Sequence, residues 1–577
     1  MGCVLGEHST DGSAGDTVIK KGIEIIYGNV AVGAKEDFEA SVADKASFVD
    51  LSQLQYYGLD VKPYGNPCEK YSVVLDGEAI AFPSAPENES LGLWSESISE
   101  DDGTFAEPIV LELVSNEQYA SQGITLTFDP YNNIFANRVG IKWARVINGE
   151  ETILSEKEFT PDTAQYFCYN LIENYNRLVI TFYSMNMPKN RLKLRAIDYG
   201  YGTIFTGAEL RSVKNIQEIN PISSEISINT SDFVLDSKAD VEYSFQAKQP
   251  LSVYFNGVLR STIFVKKSKR KAKRLWEVQG EDYIGLMDGI PYYGGIYDNA
   301  LAVDILADIF AAAKIPFEVD NVFAEERVSG YIPYGTCRTA LMQVAFAIQA
   351  AVDTSNSSVV KIFALNDEVT QTIPLERIMQ GQSFTDEETV TGVEVTAHIY
   401  TPSAETIELY SAETSGTGEG VFVTFSEPIF DLAITNGNIL QSGANFAVIN
   451  ANARCVLNGK RYQHTTLTKR KNNPLVLASD IEKVAAVDSA TLVSPNNVDK
   501  VLEKCYNWLV RVNQINLKII EGKHVSEYDG SVTYDKAVNV GDVITTQTEY
   551  LGEITGRVIK QTFNLSGGII IKDTILR

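Results

Sequence analysis

The chain has 577 residues, with 49 Lys or Arg against 75 Asp or Glu, so its formal charge is −26 and its pI is near 4.7. Hydrophobic residues make up 44% and charged residues 21%, which is ordinary for a folded chain and excludes extended disorder. An acidic surface repels the phosphates of DNA and of anionic membranes, and this disfavours both as tightly held partners. The length predicts about four domains.

The N-terminus and the apolar segments do not predict export or membrane insertion. The first residues lack the charged region and apolar core of a signal peptide, and Gly6 stands where an N-myristoylation signal requires Ser or Thr. The best apolar run, from Ala300 to Lys314, contains Asp304 and Asp308 and is too short to span a bilayer. We therefore predict a soluble protein that is made in the cytoplasm.

The first 205 residues are predicted to be an arm followed by a β-sandwich. Residues 1–45 are polar and rich in Gly, Ala and Asp, and we predict that they order only against a partner. Residues 46–205 contain the alternating or β-branched runs EPIVLELV, GITLTFD, RVGIKWARVI and RLVITFYSM, separated by the turn signals DPYNN, NGE and MPKN. Such spacing predicts a β-sandwich that needs no helix of more than a turn or two.

Residues 206–295 contain a second β segment with two predicted hairpins. Asn256-Gly257 between two apolar runs is a strong signal for the first. The second joins STIFV to LWEVQG through KKSKRKAKR, a stretch that holds seven cations in nine positions. These seven, called here the basic block, are Lys266, Lys267, Lys269, Arg270, Lys271, Lys273 and Arg274. We predict an exposed hairpin tip that docks on an acidic neighbour. Direct DNA binding is the alternative, although only Trp276 is near enough to stack on a base.

Helical periodicity occurs in three places. The first two, NALAVDILADIFAAAK and CRTALMQVAFAIQAAV, fall in residues 296–385, which are predicted to be an α/β insertion. Residues 386–485 return to β. The third helix, SPNNVDKVLEKCYNWLVRV, opens residues 486–577, with Ser494 predicted as its cap and Pro495 at its first position. Trp508 belongs to its apolar stripe and is predicted to lie in the core.

The cysteines and histidines do not predict a metal site or a disulfide framework. They are dispersed and form no CxxC pair. The six cysteines and four histidines are Cys3, Cys68, Cys168, Cys337, Cys455, Cys505, His8, His398, His464 and His524. We predict free, mostly buried thiols, no metal and no cofactor.

Motifs of known enzyme classes do not occur, and no catalytic residue is predicted. SGTGEG, at residues 415–420, leads into the strand VFVTF rather than a helix, so it is predicted to be a hairpin tip. The acidic cluster at residues 100–102 is predicted to be a solvated loop, with calcium binding as the alternative. With 75 acidic residues any two carboxylates can meet, so a glycosidase pair is neither supported nor excluded.

Several segments from Gly207 to Arg577 resemble, in order, the hub proteins of bacteriophage tails. They are LRSVKNIQEINPISSEISINTSDFVLDSK, LSVYFNGVLRSTIFVKK, GEDYIGLMDGIPYYGGIY, VSGYIPYGTCRTALMQVAFAIQAAVDTS and GVEVTAHIY. The ending GDVI…GRVIKQTFNLSGGIIIK is similar to the closing β segment of the same family. Before them, LWSESISEDDGTFAEP and SQGITLTFD resemble the galactose-binding-like sandwich that precedes some hubs.

The resemblance implies a mainly β fold with α+β insertions, in which a jelly-roll-like sandwich is followed by tail-hub β-barrel domains. The implied domains are 1–45 arm, 46–205 galactose-binding-like sandwich, 206–295 first hub barrel, 296–385 α/β insertion, 386–485 second hub barrel and 486–577 C-terminal helix plus β. The two barrels per chain imply a homotrimeric ring with pseudo-sixfold symmetry.

The resemblance also implies a function and a set of partners. The chain is expected to be a non-enzymatic structural hub of a tail tip or baseplate that continues the tail tube and gates the passage of the tape-measure protein and DNA. Its partners would be further copies of itself, distal tail and tube proteins and the tape-measure protein, with DNA only in transit. It would be assembled in the bacterial host cytoplasm and reside in the virion, with part of its acidic surface lining the bore.

The alternative is a tail-tip protein that binds or cleaves cell-wall glycan. In the hub itself, the N-terminal sandwich is also expected as a module that binds a host cell-wall saccharide through exposed Tyr and Trp, since aromatic faces suit sugar rings. A sandwich that serves only as a spacer is an equally open interpretation.

Overall fold

The computed structural model describes residues 23–56, 69, 91–129, 133–207, 209–237, 245–255, 258–386, 390–412, 420–450, 454–474, 476, 481–510, 513–519, 523–525, 532–534, 538–548, 551–564 and 570–577. Strands dominate these residues and helices are few, so the prediction of a mainly β fold with α+β insertions is confirmed. Within the same ranges, no helix is long and apolar enough to cross a membrane.

Two sheets enclose the core of the N-terminal sandwich. The larger contains, in order, Glu39–Val42, Thr104–Thr127, Gln165–Met185, Ala136–Ile147 and Glu150–Phe159, with Ala196–Asp198 also on Thr104–Thr127; the smaller pairs Leu93–Ile98 with Arg191–Leu194. The strand runs predicted from sequence are parts of these longer strands, which bulges bend into shape. A short helix α1, Ala34–Asp37, and a 3-10 turn, Leu51–Gln55, cover one end of the core.

A second, larger sheet joins distant parts of the chain. Its strands, in order, are Gly200–Thr206, Ile23–Val30, Pro250–Phe255, Val258–Arg270, Leu275–Glu281, Thr230–Asp236, Leu210–Glu218, Gly552–Asn564, Ile570–Leu576, Asn513–Ile519 and Ser383–Asp386. Val543–Thr548 pairs with Gly552–Asn564, and Val369–Ile373 pairs with Val543–Thr548. Strands of the predicted first barrel and of the C-terminal segment therefore share one sheet.

The N-terminal strand corrects one prediction. Ile23–Val30 lies inside the large sheet, antiparallel to both Gly200–Thr206 and Pro250–Phe255. Ile25 and Tyr27 are buried in its core, and the apolar run IEIIYG explains why. The prediction that residues 1–45 order only against a partner is thus wrong for residues 23–45. Residues 1–22 lie outside the described residues.

Four helices and a second β unit share the largest core. The helices are α2 (Tyr283–Met287), α3 (Ala302–Ala313), α4 (Cys337–Ala347) and α5 (Val498–Leu509). The second β unit has a sheet of Ile429–Thr435, Cys455–Asn472, Gly392–Ala412 and Val484–Val487, and another of Val421–Thr424, Phe446–Asn450 and Asn438–Ser442. Helix α5 packs on its two long strands.

Short elements complete the insertion and the C-terminal segment. The paired strands are Pro291–Tyr292 with Gly335–Thr336, Gly295–Leu301 with Arg327–Ile332, Phe317–Val319 with Val360–Phe363 and Ala351–Asp353, and Lys523–Val525 with Val532–Tyr534; the 3-10 turns are Asn321–Phe323 and Leu375–Arg377. Cys168, Cys337, Cys455 and Cys505 are free and buried, as predicted, and Cys3 and Cys68 lie outside the described residues.

Helix α5 agrees with its prediction at the N-terminal end and differs at Trp508. Its regular residues begin at Val498, after one turn that Ser494 caps: Ser494 Oγ accepts a hydrogen bond from Asn496 N at 3.4 Å, its carbonyl accepts one from Val498 N at 3.0 Å, and Asn497 Oδ1 accepts one from Ser494 N at 2.7 Å. Trp508 is half-buried rather than in the core. At about 100° per residue, Trp508 lies about 80° around the helix from Val498, whereas Cys505 lies about 20° away, so Trp508 falls at the margin of the buried stripe.

Candidate functional site

The basic block occupies the end of a hairpin, as the sequence predicts. Val258–Arg270 pairs with Leu275–Glu281, from Phe264 opposite Glu281 to Arg270 opposite Trp276. The register shifts between Val265 and Lys267, and this bulge lets Val265 stay buried while Lys266 and Lys267 both face solvent. All seven cations are exposed. The preceding hairpin is also present, with Phe255 opposite Val258, and its turn residues lie outside the described ranges.

Carboxylates of the same sheet neutralise part of the block. Lys266 Nζ lies 2.6 Å from Glu281 Oε2, and Lys271 Nζ lies 2.7 Å from Glu277 Oε2. The hydrogen bond from Lys271 lowers the pKa of Glu277 below its usual value. Exposed pairs of this kind contribute little to stability because water screens them. The tip therefore keeps a net positive charge on an acidic chain.

The aromatic ring nearest the block is not free to stack on a base. The guanidinium of Arg270 lies 5.1 Å from the centroid of the Trp276 ring, and the Phe245 ring packs against the same indole at 5.6 Å. Arg270 also donates a hydrogen bond to the carbonyl of Lys273 at 2.6 Å, which holds the turn closed. Because single-strand sites present open aromatic faces, this packing disfavours direct DNA binding.

The aromatic residues of the sandwich depart from the expected sugar-binding surface. Trp94 and Trp143 are 2% and 0% exposed, so the expectation of exposed Trp is wrong. Instead Tyr169 and Tyr201 are 61% and 46% exposed, and Phe167 lies between them with centroid distances of 6.1 and 5.3 Å. We call these three side chains the aromatic patch. In the part of the strand Gln165–Met185 that carries the aromatic patch, odd-numbered residues face outward. This is the two-residue alternation of a β-strand, and it is visible in the sequence.

Two histidines that are dispersed in the sequence meet in the second β unit. His398 Nδ1 lies 2.9 Å from His464 Nε2, and His398 Nε2 lies 2.7 Å from Asp488 Oδ1. Burial, and then the charge of His398, lower the pKa of His464. Among the described residues, no group of three or more His, Cys, Asp or Glu is arranged to hold a metal ion.

Two buried carboxylates join the β segment of residues 206–295 to the insertion of residues 296–385. Asp282 Oδ2 accepts hydrogen bonds from Asn229 N at 3.1 Å and from Thr354 Oγ1 at 2.6 Å, and Asn229 Nδ2 donates to Asp353 Oδ1 at 3.2 Å. Burial raises the pKa of Asp282 to about 7 and also raises that of Asp353. Both side chains are enclosed, so they act as a structural link and not as the accessible pair that glycan cleavage needs.

The acidic loop near residue 100 has the exposure expected of a solvated loop. Asp101 is 93% exposed, and the ammonium of Lys189 lies 3.6 Å from a carboxylate oxygen of Glu100 and 3.5 Å from one of Asp101. Asp102 accepts a hydrogen bond from Thr104 N. Residues 415–419 of SGTGEG lie outside the described ranges.

The chain matches no family model and no curated protein. Among solved structures, it is similar to the tail protein from Neisseria meningitidis MC58, covering 64% of this chain and 92% of that one, with a TM-score of 0.40 and 11% identity. The prophage MuSo2 43 kDa tail protein from Shewanella oneidensis covers 65% and 96%, with a TM-score of 0.41 and 10% identity. The family 32 CBM of C. perfringens NanJ, solved with galactose, covers 30% and 98%, with a TM-score of 0.18 and 13% identity. These overlaps are too loose to assign a function.

Proposed function

We propose that the protein is a non-enzymatic structural hub of a phage or phage-like tail tip. Three copies would form a ring that continues the tail tube and gates the passage of the tape-measure protein and DNA. The observation that supports this most is the presence of two sheet-plus-helix units in one chain. Strands of residues 250–281 carry α2, and strands of residues 392–487 carry α5. The hub resemblance leads us to expect two such units.

The open sheet edges supply a means of closing a ring. Within the described residues, the main path of the large sheet ends at Gly200–Thr206 on one side and at Ser383–Asp386 on the other, and its branch ends at Val369–Ile373. An edge strand has backbone N–H and C=O groups without sheet partners, which a neighbouring chain can pair with. A three-fold ring needs two different faces that meet heterologously, and two unlike edges meet that need.

The basic block and the acidic rest of the chain would have complementary roles in the assembly. With a formal charge of −26, a second copy or a tail neighbour of similar composition attracts the exposed tip of residues 266–274. Acidic residues along the bore would repel a duplex at short range and let it pass without being held. We therefore propose that the block orients neighbouring subunits and that DNA contacts the hub only in transit.

The test is the mass in solution of the wild type and two double variants, by light scattering. The wild type is expected near 190 kDa, three times the 63.6 kDa of one chain. Lys267→Glu with Lys269→Glu reverses two charges at the tip and should shift the mass toward one chain. Lys45→Glu with Lys157→Glu reverses two exposed charges in the sandwich and should leave the trimer intact. A wild type of 63.6 kDa at every concentration would refute the hub.

A second candidate function, glycan binding, is favoured by the aromatic patch. The rings of Tyr169 and Tyr201 are exposed on the strand face beside the half-buried Phe167, where a sugar ring can stack. Tyr169→Ala with Tyr201→Ala should abolish co-sedimentation with purified cell walls. The control Tyr293→Ala with Tyr334→Ala removes two rings elsewhere that are 44% and 40% exposed, and it should leave co-sedimentation with cell walls unchanged. Equal binding by both variants would leave the sandwich as a spacer, and release of reducing ends from the walls would favour a glycan-cleaving protein.

A further inference from the structure

A cleft of about 530 Å³ opens beside helix α5, and we call it the α5 cleft. Its volume falls within the range of about 300–1,000 Å³ that small-molecule sites occupy. Its walls come from α5, the end of α4, the 3-10 turn at residues 321–323, the segment 364–367 and the strand Gly552–Asn564. The fold thus brings five separate segments to one concave surface, independently of any tail assembly.

Four apolar side chains line the α5 cleft. Trp508 and Leu365 are half-buried, whereas Phe323 and Ile348 are each 5% exposed and form its floor. Gln349, directly after α4, has a φ of 65°, the left-handed conformation that glycine usually supplies at a helix end. A glutamine there costs about 1–2 kcal/mol of backbone strain, and it places an amide on the cleft wall. An amide beside an indole suits a ligand with a planar apolar body.

Lys504 is the polar group of the α5 cleft whose charge is least compensated. Its Nζ donates to the carbonyl of Ala350 at a long 3.4 Å, and no described carboxylate forms an ion pair with it. Burial lowers the pKa of Lys504 to about 7. A lysine in that state gains from any anion that replaces its lost hydration.

The other charged side chains of the α5 cleft are already compensated. Lys500 Nζ lies 3.0 Å from Glu326 Oε1, and Glu503 pairs with Lys471 across the helix surface. Arg557 pairs with Asp367 and donates to the carbonyl of Gly541 at 2.6 Å. A ligand anion therefore meets one amine that lacks a counter-charge rather than a diffuse positive field.

We propose that the α5 cleft binds a small organic carboxylate with an aromatic or apolar body, whose carboxylate pairs with the Lys504 amine and whose body packs on Trp508 and Phe323. The proposal requires no covalent step. The ligand restores the ammonium form of Lys504, so binding is coupled to the uptake of a proton from solvent.

Titration with 3-phenylpropionate and with its uncharged amide, followed by calorimetry and NMR, tests the charge requirement. The acid is expected to bind, and the amide at least about tenfold more weakly, because the ion pair is the main polar contact. Lys504→Met keeps the length of the side chain and should weaken the affinity for the acid by about tenfold. Lys500→Met, on the same helix and also lining the cleft, should change the affinity for the acid by less than about twofold. Absence of binding at millimolar acid, or equal binding by Lys504→Met, overturns the proposal.

Proton uptake by the wild type gives a readout that needs no variant. At pH 7 the amine is about half neutral, so binding should take up about half a proton, whereas at pH 5.5 the uptake should be close to zero. Calorimetry in two buffers of different ionisation enthalpy measures the uptake directly. Equal heats in the two buffers at pH 7, together with equal affinity of the wild type and Lys504→Met for the acid, would show that the carboxylate does not pair with Lys504 and would overturn the proposal, whatever the mass of the assembly.

Discussion

Asp282→Asn probes the buried carboxylate link between the β segment of residues 206–295 and the insertion of residues 296–385. Asp282 is enclosed and caps helix α2 by accepting a hydrogen bond from Gly285 N at 3.1 Å. Burial raises its pKa from 3.8 to about 7 in the folded chain, so the folded state holds a proton that the unfolded state has released. Its contribution to stability is therefore fully present below pH 3.8 and is lost as the pH rises to 7.

The size of the effect follows from the shift. The folded state holds almost one extra proton at pH 5 and about half of one at pH 7, because its pKa is about 7. Integrated over the interval, this difference costs about 2.3 kcal/mol at about 1.4 kcal/mol per unit. The asparagine does not ionise and can still accept a hydrogen bond from Gly285 N, so the local stability of the variant should not fall over the same interval. Relative to the wild type, Asp282→Asn should gain about 50-fold in local protection between pH 5 and pH 7.

Hydrogen exchange by mass spectrometry, corrected for the intrinsic rate, measures this protection in peptides that cover residues 226–236 and 281–290. Asp288→Asn is the matched control because Asp288 lies at the other end of α2 and its side chain is 50% exposed. The control should follow the wild type at both pH values. If Asp282→Asn shows the same loss between pH 5 and pH 7 as the wild type, Asp282 is not the group that titrates and the reasoning fails.

Three further changes test the packing of the β units. Trp143→Ala should lower the thermal transition of the sandwich by an amount equivalent to about 3–5 kcal/mol of stability, because the indole is fully buried. Tyr169→Ala, at an exposed position, should lower the stability by less than about 0.5 kcal/mol. Equal shifts in the two variants would contradict the described core. The lowered pKa of His464 gives a contribution to stability that is present above pH 6.5 and is lost as the pH falls through the pKa of the folded state. His464→Gln should therefore remove the loss of hydrogen-exchange protection that residues 460–468 show at acid pH. If the loss is unchanged in the variant, His464 is not its cause. Gly123→Ala places a Cβ 2.1 Å from a backbone carbonyl oxygen, at a φ of 131°, and should lower the free energy of unfolding by about 1–3 kcal/mol. Gly202→Ala should be tolerated because the nearest atom to its Cβ lies 3.7 Å away. Similar losses of stability in both variants would refute the close approach at Gly123.

Local patterns account for the elements that the sequence predicted well. The 3.6-residue period of α3 and α4, the turn signal before Val258 and the uninterrupted basic block all act within about ten residues. The polar block cannot be buried, so its place at a hairpin tip follows from solvation alone. The bulge at Lys266 only adjusts which side chains face water.

The features that were missed depend on contacts between distant residues. Ile23–Val30 enters the large sheet through partners at least 170 residues away, and its polar surroundings gave no sign of this. His398 and His464 meet only because two strands of 21 and 18 residues pair in one register. Trp508 lies at the edge of a stripe, where a few tens of degrees decide between core and cleft.

Electron microscopy of the purified protein in negative stain tests the hub most directly. The account predicts class averages of a ring with three-fold symmetry around a central opening, at a particle mass of three chains. Compact particles without an opening, or rings of another symmetry, would contradict it.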